Sequence, residues 1–320
     1  MVNAPKPLVI ALEEHYWDRD LVSLFPGREG NRVSDVERRL LDVGELRLRE
    51  MDEAGIDIQV MSHGAPGTQK LGAEAAVRMA RQTNDRLAEF ITGNPKRFSG
   101  LGLLPTPDPV GAADELERIV TRLGLKGALV LGLTNGKFLD EKQFWPIFER
   151  AQALDVPIYM HPSFPNPAVI DAYYKDYAAD YPELIGPALG FTVEAATQAV
   201  RLVVSGVFER YPQLKIILGH LGEGIPFLLW RIDESLSRSN RATPFKETFR
   251  RNFYLTTSGN FSDTALTASV TEMGVDRIMF SVDWPFISNK MGTDWLNASA
   301  LSAPDKAKVF GQNAKSLLKL

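Results

Sequence analysis

No cysteine occurs in the 320 residues, which excludes disulfides, thiolate nucleophiles and cysteine-ligated metal. Histidine is scarce as well. The chain has four, so any imidazole chemistry falls to His15, His63, His161 and His220. No apolar run approaches membrane-spanning length, and Met1 to Pro7 lacks a signal-peptide core. A net charge of −4 gives no electrostatic ground for expecting nucleic acid or an anionic membrane as a partner. No glycine-rich dinucleotide fingerprint follows the first apolar run, which argues against an organic redox cofactor. These absences leave a soluble chain, expected in the cytoplasm because nothing in it calls for an oxidising compartment. Its composition, 44% hydrophobic and 24% charged, is ample for a large core.

What is present is an alternation of short apolar runs with longer helical patterns. Strands are expected at Leu8–Leu12, Ile56–Met61, Phe98–Leu104, Gly127–Leu131, Val156–Met160, Leu214–Leu218, Phe253–Thr257 and Arg277–Val282. Their continuous apolar character is that of strands covered on both faces. Helical patterns fall between them at Gly72–Gly93, Asp108–Gly124, Thr192–Tyr211 and Pro304–Leu318. In Thr192–Tyr211 the expected buried stripe is Val193, Ala196, Val200, Val203, Val204 and Val207. Repeated strand–helix units predict an α/β fold, a (β/α)8 TIM-like barrel forming one domain over residues 1–320. A doubly wound open sheet is the alternative, weakened by the missing fingerprint. Two connections are too long for ordinary loops. They follow strands 1 and 5, at about residues 16–44 and 162–190. The first contains Phe25-Pro26-Gly27 and a charged run from Arg28 to Arg39. The second is rich in aromatics, including Phe164, Tyr173, Tyr174, Tyr177 and Tyr181, with Phe191 just beyond it. Lids over an aromatic-lined pocket and a subunit interface are both compatible with them.

The ionisable residues sit where the apolar runs end. Glu13 closes the first, His161 the fifth, His220 the sixth and Asp283 the eighth, and the C-terminal strand ends of such a barrel converge. His15 lies two residues past Glu13, so both side chains can point the same way. Two carboxylates and two imidazoles then share one space, a nitrogen/oxygen donor set suited to a single Zn2+ or Mn2+ ion. Taken singly, each has a plainer role: Glu13 or Asp283 could cap a helix, and a lone histidine could be a hydrogen-bonded structural group. Their coincidence on one face favours a metal site. His63, after the second strand, could touch substrate or decorate a loop. Glu223, three residues after His220, could charge and orient that imidazole or complement a helix N-terminus. Arg231 could meet a substrate carboxylate or form a structural ion pair. Phe191 and Phe286 are candidate ring contacts.

The motifs Ala11-Leu12-Glu13-Glu14-His15, Ala65-Pro66-Gly67, Asn84-Asp85, His161-Pro162, Gly219-His220-Leu221-Gly222-Glu223-Gly224 and Ser281-Val282-Asp283-Trp284-Pro285 span nearly the whole chain. Together they resemble the amidohydrolase superfamily, in its metal-dependent non-oxidative branch of aromatic-acid decarboxylases. The γ-resorcylate, 2,3-dihydroxybenzoate and 5-carboxyvanillate decarboxylases are the nearest likeness. Glu13-x-His15 matches these decarboxylases more than the His-x-His of many hydrolases. The pair His63-Gly64 departs from their pattern, in a loop bordering the pocket. The resemblance implies Glu13, His15, His161 and Asp283 as the metal site, with His220 and Glu223 beside the substrate; Asp283, His220 and Glu223 are the expected catalytic group, and His63, Phe191, Arg231 and Phe286 the expected substrate contacts. It implies a carboxy-lyase acting on a small ortho-hydroxy aromatic acid, in which Asp283 protonates the ring carbon with a proton taken from the phenol. A homodimer or homotetramer is expected on the same ground. A metal-dependent hydrolase of a lactone or amide, or a related hydratase, is the alternative.

Overall fold

The computed structural model describes residues 7–25, 33–241 and 243–320. The expectations for Pro26-Gly27 and for the charged run from Arg28 to residue 32 lie outside the described residues. Among the described residues nine strands form: β1 Ile10–Tyr16, β2 Ile58–His63, β3 Phe98–Gly100, β4 Gly102–Leu103, β5 Ala128–Leu131, β6 Ile158–His161, β7 Ile216–Leu218, β8 Phe253–Thr256 and β9 Ile278–Met279. Every pairing between them is parallel, in the order β1-β2-β3 and then β4 through β9. The third expected strand is thus split at Leu101. Its two halves still bridge the ladder, because Leu101 donates to Met61 and Gly102 to Gly127, both at 2.9 Å. Gly102 has a packing reason: a Cβ there would stand 2.4 Å from the Ile119 side chain of the covering helix. At the other edge Leu12 pairs with Ser281 in parallel, and the Leu12 amide donates to Phe280 at 3.2 Å. The first strand therefore meets the last, and the parallel sheet wraps into a barrel.

Two apolar layers hold it. Leu12, Val60, Leu101, Leu129, Ile217 and Met279 form a cluster separate from the one beneath the helices, where Leu116, Ile119, Phe148, Leu202 and Phe249 pack on the sheet. Helices follow local rules. Pro109–Thr121 begins on Asp108, whose carboxylate accepts from the Gly111 amide, with proline in the first turn.

One helix turns a different face inward from that expected. Gly190–Ser205 buries Glu194, Ala195, Gln198, Ala199, Leu202 and Val203. Val193 is 40% exposed, and Ala196, Val200 and Val204 are only partly covered. The small Ala195 and Ala199 let the helix approach closely, while Glu194 and Gln198 enter as a hydrogen-bonded pair at 3.1 Å. A count of apolar residues cannot see a hydrogen-bonded polar pair turned inward.

After β6 the chain runs through short helical turns at Pro167–Val169, Ile170–Tyr174 and Pro182–Ile185. Tyr173, Tyr177 and Tyr181 are 74%, 60% and 64% exposed, so these three rings face outward instead of lining a pocket. Phe164 and Phe191 do pack together, with ring centroids 5.2 Å apart.

Candidate metal and catalytic site

Strand β1 carries polar residues past its apolar run because its register slips between Ala11 and Glu14. Glu13 takes up the shift in the left-handed region, φ 59°, a conformation that costs energy for a side chain other than glycine and clusters at functional sites. Asp283, four residues past β9, is also left-handed at φ 70°. His161 is the last residue of β6. These positions bring one ligand atom each of Glu13, His15, His161 and Asp283 within 4.8 Å of one another. His161 Nε2 stands 3.3 Å from Glu13 Oε1, and His15 Nε2 stands 3.3 Å from Asp283 Oδ1.

Their surroundings fit a divalent cation. Glu13 Oε1, His15 Nε2 and Asp283 Oδ1 are buried and lack hydrogen-bond partners among the described residues, an arrangement costly without a ligand. His161 Nδ1 lies 2.6 Å from the Pro162 carbonyl; donating there leaves the Nε2 lone pair for the cluster. The far oxygen of Glu13 accepts from the hydroxyls of Tyr159 and Ser258, and Thr256 links to both at 2.6 Å. These contacts orient the carboxylate, as supports around metal ligands do. Burial pushes the Glu13 carboxyl up. Burial, reinforced by His15 and His220, pushes the His161 imidazole well down. Left alone, the pocket disfavours charge on both. A bound cation reverses that preference for the carboxylate and suits a neutral imidazole.

Beside the cluster, the turn after β7 runs left-handed through His220, Leu221, Gly222 and Glu223. It folds Glu223 back so that its Oε1 meets His220 Nδ1 at 2.7 Å. Burial alone would lower the His220 pKa, but Glu223, Glu13 and Asp283 outweigh it and raise the value to about 10. Its Nε2 faces Asp283 Oδ2 at 4.0 Å. One oxygen of Asp283 therefore faces the ligand cluster and the other faces an imidazolium. Glu14 holds this aspartate in place. Its carboxylate accepts from the amides of Val282 at 2.9 Å and Trp284 at 3.3 Å, the residues on either side of Asp283.

The other expected contacts divide. Phe286 stands with its ring centroid 6.0 Å from that of His15, at the cluster. Phe191 joins the Phe164 pair. His63 is buried, and its Nε2 accepts from the Asp18 amide at 3.0 Å, so it fixes the loop after β1. Arg231 lies on the exposed side of the helix Ile225–Ser237, whose buried face is Ile225, Pro226 and Leu229. Helical periodicity turns it outward beside Phe227 and Trp230, and the fold does not gather it at the cluster. Sequence reasoning missed Glu14, Tyr159, Thr256 and Ser258. Tyr159 had a signal: it precedes His161 by two on one strand, hence on the same face.

The amidohydrolase family profile matches residues 12–320. The chain belongs to the amidohydrolase family. This amidohydrolase is 42% identical to the gamma-resorcylate decarboxylase of Polaromonas sp. strain JS666, over 97% of this chain and 98% of the relative. Among solved structures it is similar to a dihydroxybenzoic acid decarboxylase from Polaromonas sp. JS666 with bound manganese and the inhibitor 2-nitroresorcinol. That match has TM-score 0.89 and 40% identity, and covers 98% of each chain. It is similar too to a 5-carboxyvanillate decarboxylase from Novosphingobium aromaticivorans complexed with manganese and 4-hydroxy-3-methoxy-5-nitrobenzoic acid. Here the TM-score is 0.90 and the identity 30%, covering 98% of this chain and 96% of the other.

Proposed function

We propose that this amidohydrolase is a metal-dependent, non-oxidative decarboxylase of an ortho-hydroxy aromatic carboxylic acid. The observation that carries the reading is the set of unpartnered buried ligand atoms from Glu13, His15 and Asp283 beside the free imidazole nitrogen of His161. Those four residues would hold one divalent ion, manganese or zinc. When bound, that ion supplies a positive charge that fixes neighbouring phenolate and carboxylate oxygens and disperses their charge.

The chain's own groups account for the rest. Asp283 is the proton carrier: its Oδ2, turned toward His220, takes the phenol proton and delivers it to the ring carbon bearing the carboxylate. The aryl–carboxylate bond then breaks, its electron pair restores the aromatic ring, and CO2 departs. His220, charged through Glu223, holds the substrate's anionic oxygen and keeps it oriented. Phe286 and the Phe164–Phe191 pair supply apolar walls for a ring, and the long segments after β1 and β6 act as lids on a single domain. The exposed row of Phe227, Leu228 and Trp230 supports self-association as a homodimer or homotetramer. The cysteine-free composition supports a cytoplasmic setting, and no helix among the described residues is long and apolar enough to cross a membrane.

A direct assay separates this reading from a hydrolase or hydratase. Manganese- or zinc-reconstituted protein should release CO2 from 2-hydroxybenzoates, leave unsubstituted benzoate untouched and lose turnover to a strong chelator. Equal rates with and without the ortho hydroxyl, or activity indifferent to chelation, would overturn it.

A further inference from the structure

Gln69 is 2% exposed, yet neither atom of its carboxamide has a hydrogen-bond partner among the described residues. Its backbone is not loose. It sits in the 3-10 turn Thr68–Lys70. The Thr68 hydroxyl donates to the Leu104 carbonyl at 2.7 Å, and the Gln69 carbonyl accepts from the Asn135 amide at 3.0 Å. The side chain borders a cavity of about 30 Å³ lined also by Ala65, Pro66, Leu131, Ser163 and Phe164. Gly67 leaves room for the amide, since a Cβ there would stand 2.5 Å from Gln69 Oε1.

Two wall residues of this cavity are neighbours of the metal-cluster residue His161. Leu131 is in register with His161 on neighbouring strands, and Ser163 is two residues past His161. Gly64, which enters the same loop, packs at 3.2 Å from the His15 Cβ position to its own. The cavity thus adjoins the strand position of His161, one of the four ligands. It has room for roughly one or two water-sized groups. Ser163 and Lys70 also line it, and among these walls the unpaired Gln69 amide can both donate and accept. That chemistry suits a hydroxyl.

We infer that Gln69 is a specificity-determining residue that hydrogen-bonds a second hydroxyl on the aromatic ring, in addition to the ortho hydroxyl beside the reacting carboxylate. This rests on the decarboxylase reading of the site. In an acid with hydroxyls on both sides of the carboxylate, one phenol oxygen can share the cation with the carboxylate. The other is carried to the opposite edge of the ring and needs its own partner. A buried amide discriminates strongly between a ring that satisfies it and one that leaves it unpaired.

Gln69→Met keeps the length of the side chain and removes the amide. The ratio of kcat/KM for 2,6-dihydroxybenzoate over 2-hydroxybenzoate should fall at least about tenfold in this variant. A ratio within twofold of the parent's overturns the inference, including when both acids slow together because the amide merely holds a water. Should Gln69→Met fail to fold, Gln69→Glu carries the same comparison. Titration of the manganese-loaded protein with 1,3-dihydroxybenzene and with phenol separates the two levels of the claim. If neither acid is turned over by the parent protein, the proposed reaction fails. The Gln69 assignment is then decided by these affinities: it stands if the preference for the diol vanishes in the variant and falls if the preference persists.

Discussion

Two buried polar clusters in this barrel behave in opposite ways. Between the helices Ala73–Gly93 and Pro109–Thr121, Asn84 donates to the Leu103 carbonyl at 2.9 Å and to Glu115 at 2.8 Å, and accepts from the Leu103 amide at 2.8 Å. Arg118 closes the group with two bonds to Glu115 at 2.8 Å. That cluster's named donors and acceptors are matched. At the barrel mouth, buried Glu13 and His15 and the partly covered Asp283 each keep a buried, unmatched atom aimed into one space. The first cluster fastens a helix to β4. The second is complete only with something added. Burial of polar groups is common to both, so the discriminating feature is whether their hydrogen-bonding capacity is satisfied.

The contrast can be broken from either side. The largest effect is expected at the mouth. Asp283→Asn preserves size but cannot cycle a proton, so kcat should fall at least roughly a hundredfold, while the amide oxygen retains weak metal binding. Near-parental turnover would remove Asp283 as the acid. Next comes Asn84→Ala, which leaves both polar groups of Leu103 unmatched. It should cost about 2–3 kcal/mol of stability in denaturant unfolding with metal content and kcat/KM unchanged within twofold; a selective loss of metal would merge the two clusters into one system. The smallest effect at neutral pH belongs to His63, whose pKa burial lowers to about 4. The unfolded chain binds a proton there below about pH 6.5, and the folded chain does so only near pH 4. Stability from this residue is therefore full above pH 6.5 and lost as the pH falls toward 4. His63→Gln should flatten that acid limb by up to about 3 kcal/mol, and an unchanged limb would show that His63 is not the group responsible.

The sequence carried most of the architecture. Runs such as Ala128–Leu131 and Ile216–Leu218 are buried from both sides, so apolar composition alone locates them. It could not locate the split at Leu101, nor the inward turn of Glu194 and Gln198. The metal ligands were legible because ionisable residues at strand ends are rare and converge in a barrel. Their supports were not. The roles of Tyr159, Thr256 and Ser258 show only once Glu13 is seen between them, and that of Glu14 shows only where the Asp283 loop closes on it. For Arg231 the sequence left a substrate contact and a structural ion pair both open, and the helix turns it to solvent.

The central claim is that Asp283 protonates a ring carbon at a metal-loaded site. It is tested most directly by reacting manganese-reconstituted protein with 2,6-dihydroxybenzoate in deuterium oxide and following CO2 and product by mass spectrometry and NMR. One CO2 per acid consumed is expected, with 1,3-dihydroxybenzene carrying deuterium at the carbon that lost the carboxylate and both signals nearly abolished in Asp283→Asn. Absence of CO2 from this and other ortho-hydroxybenzoates, alongside opening of a lactone or amide by the same protein, would contradict it.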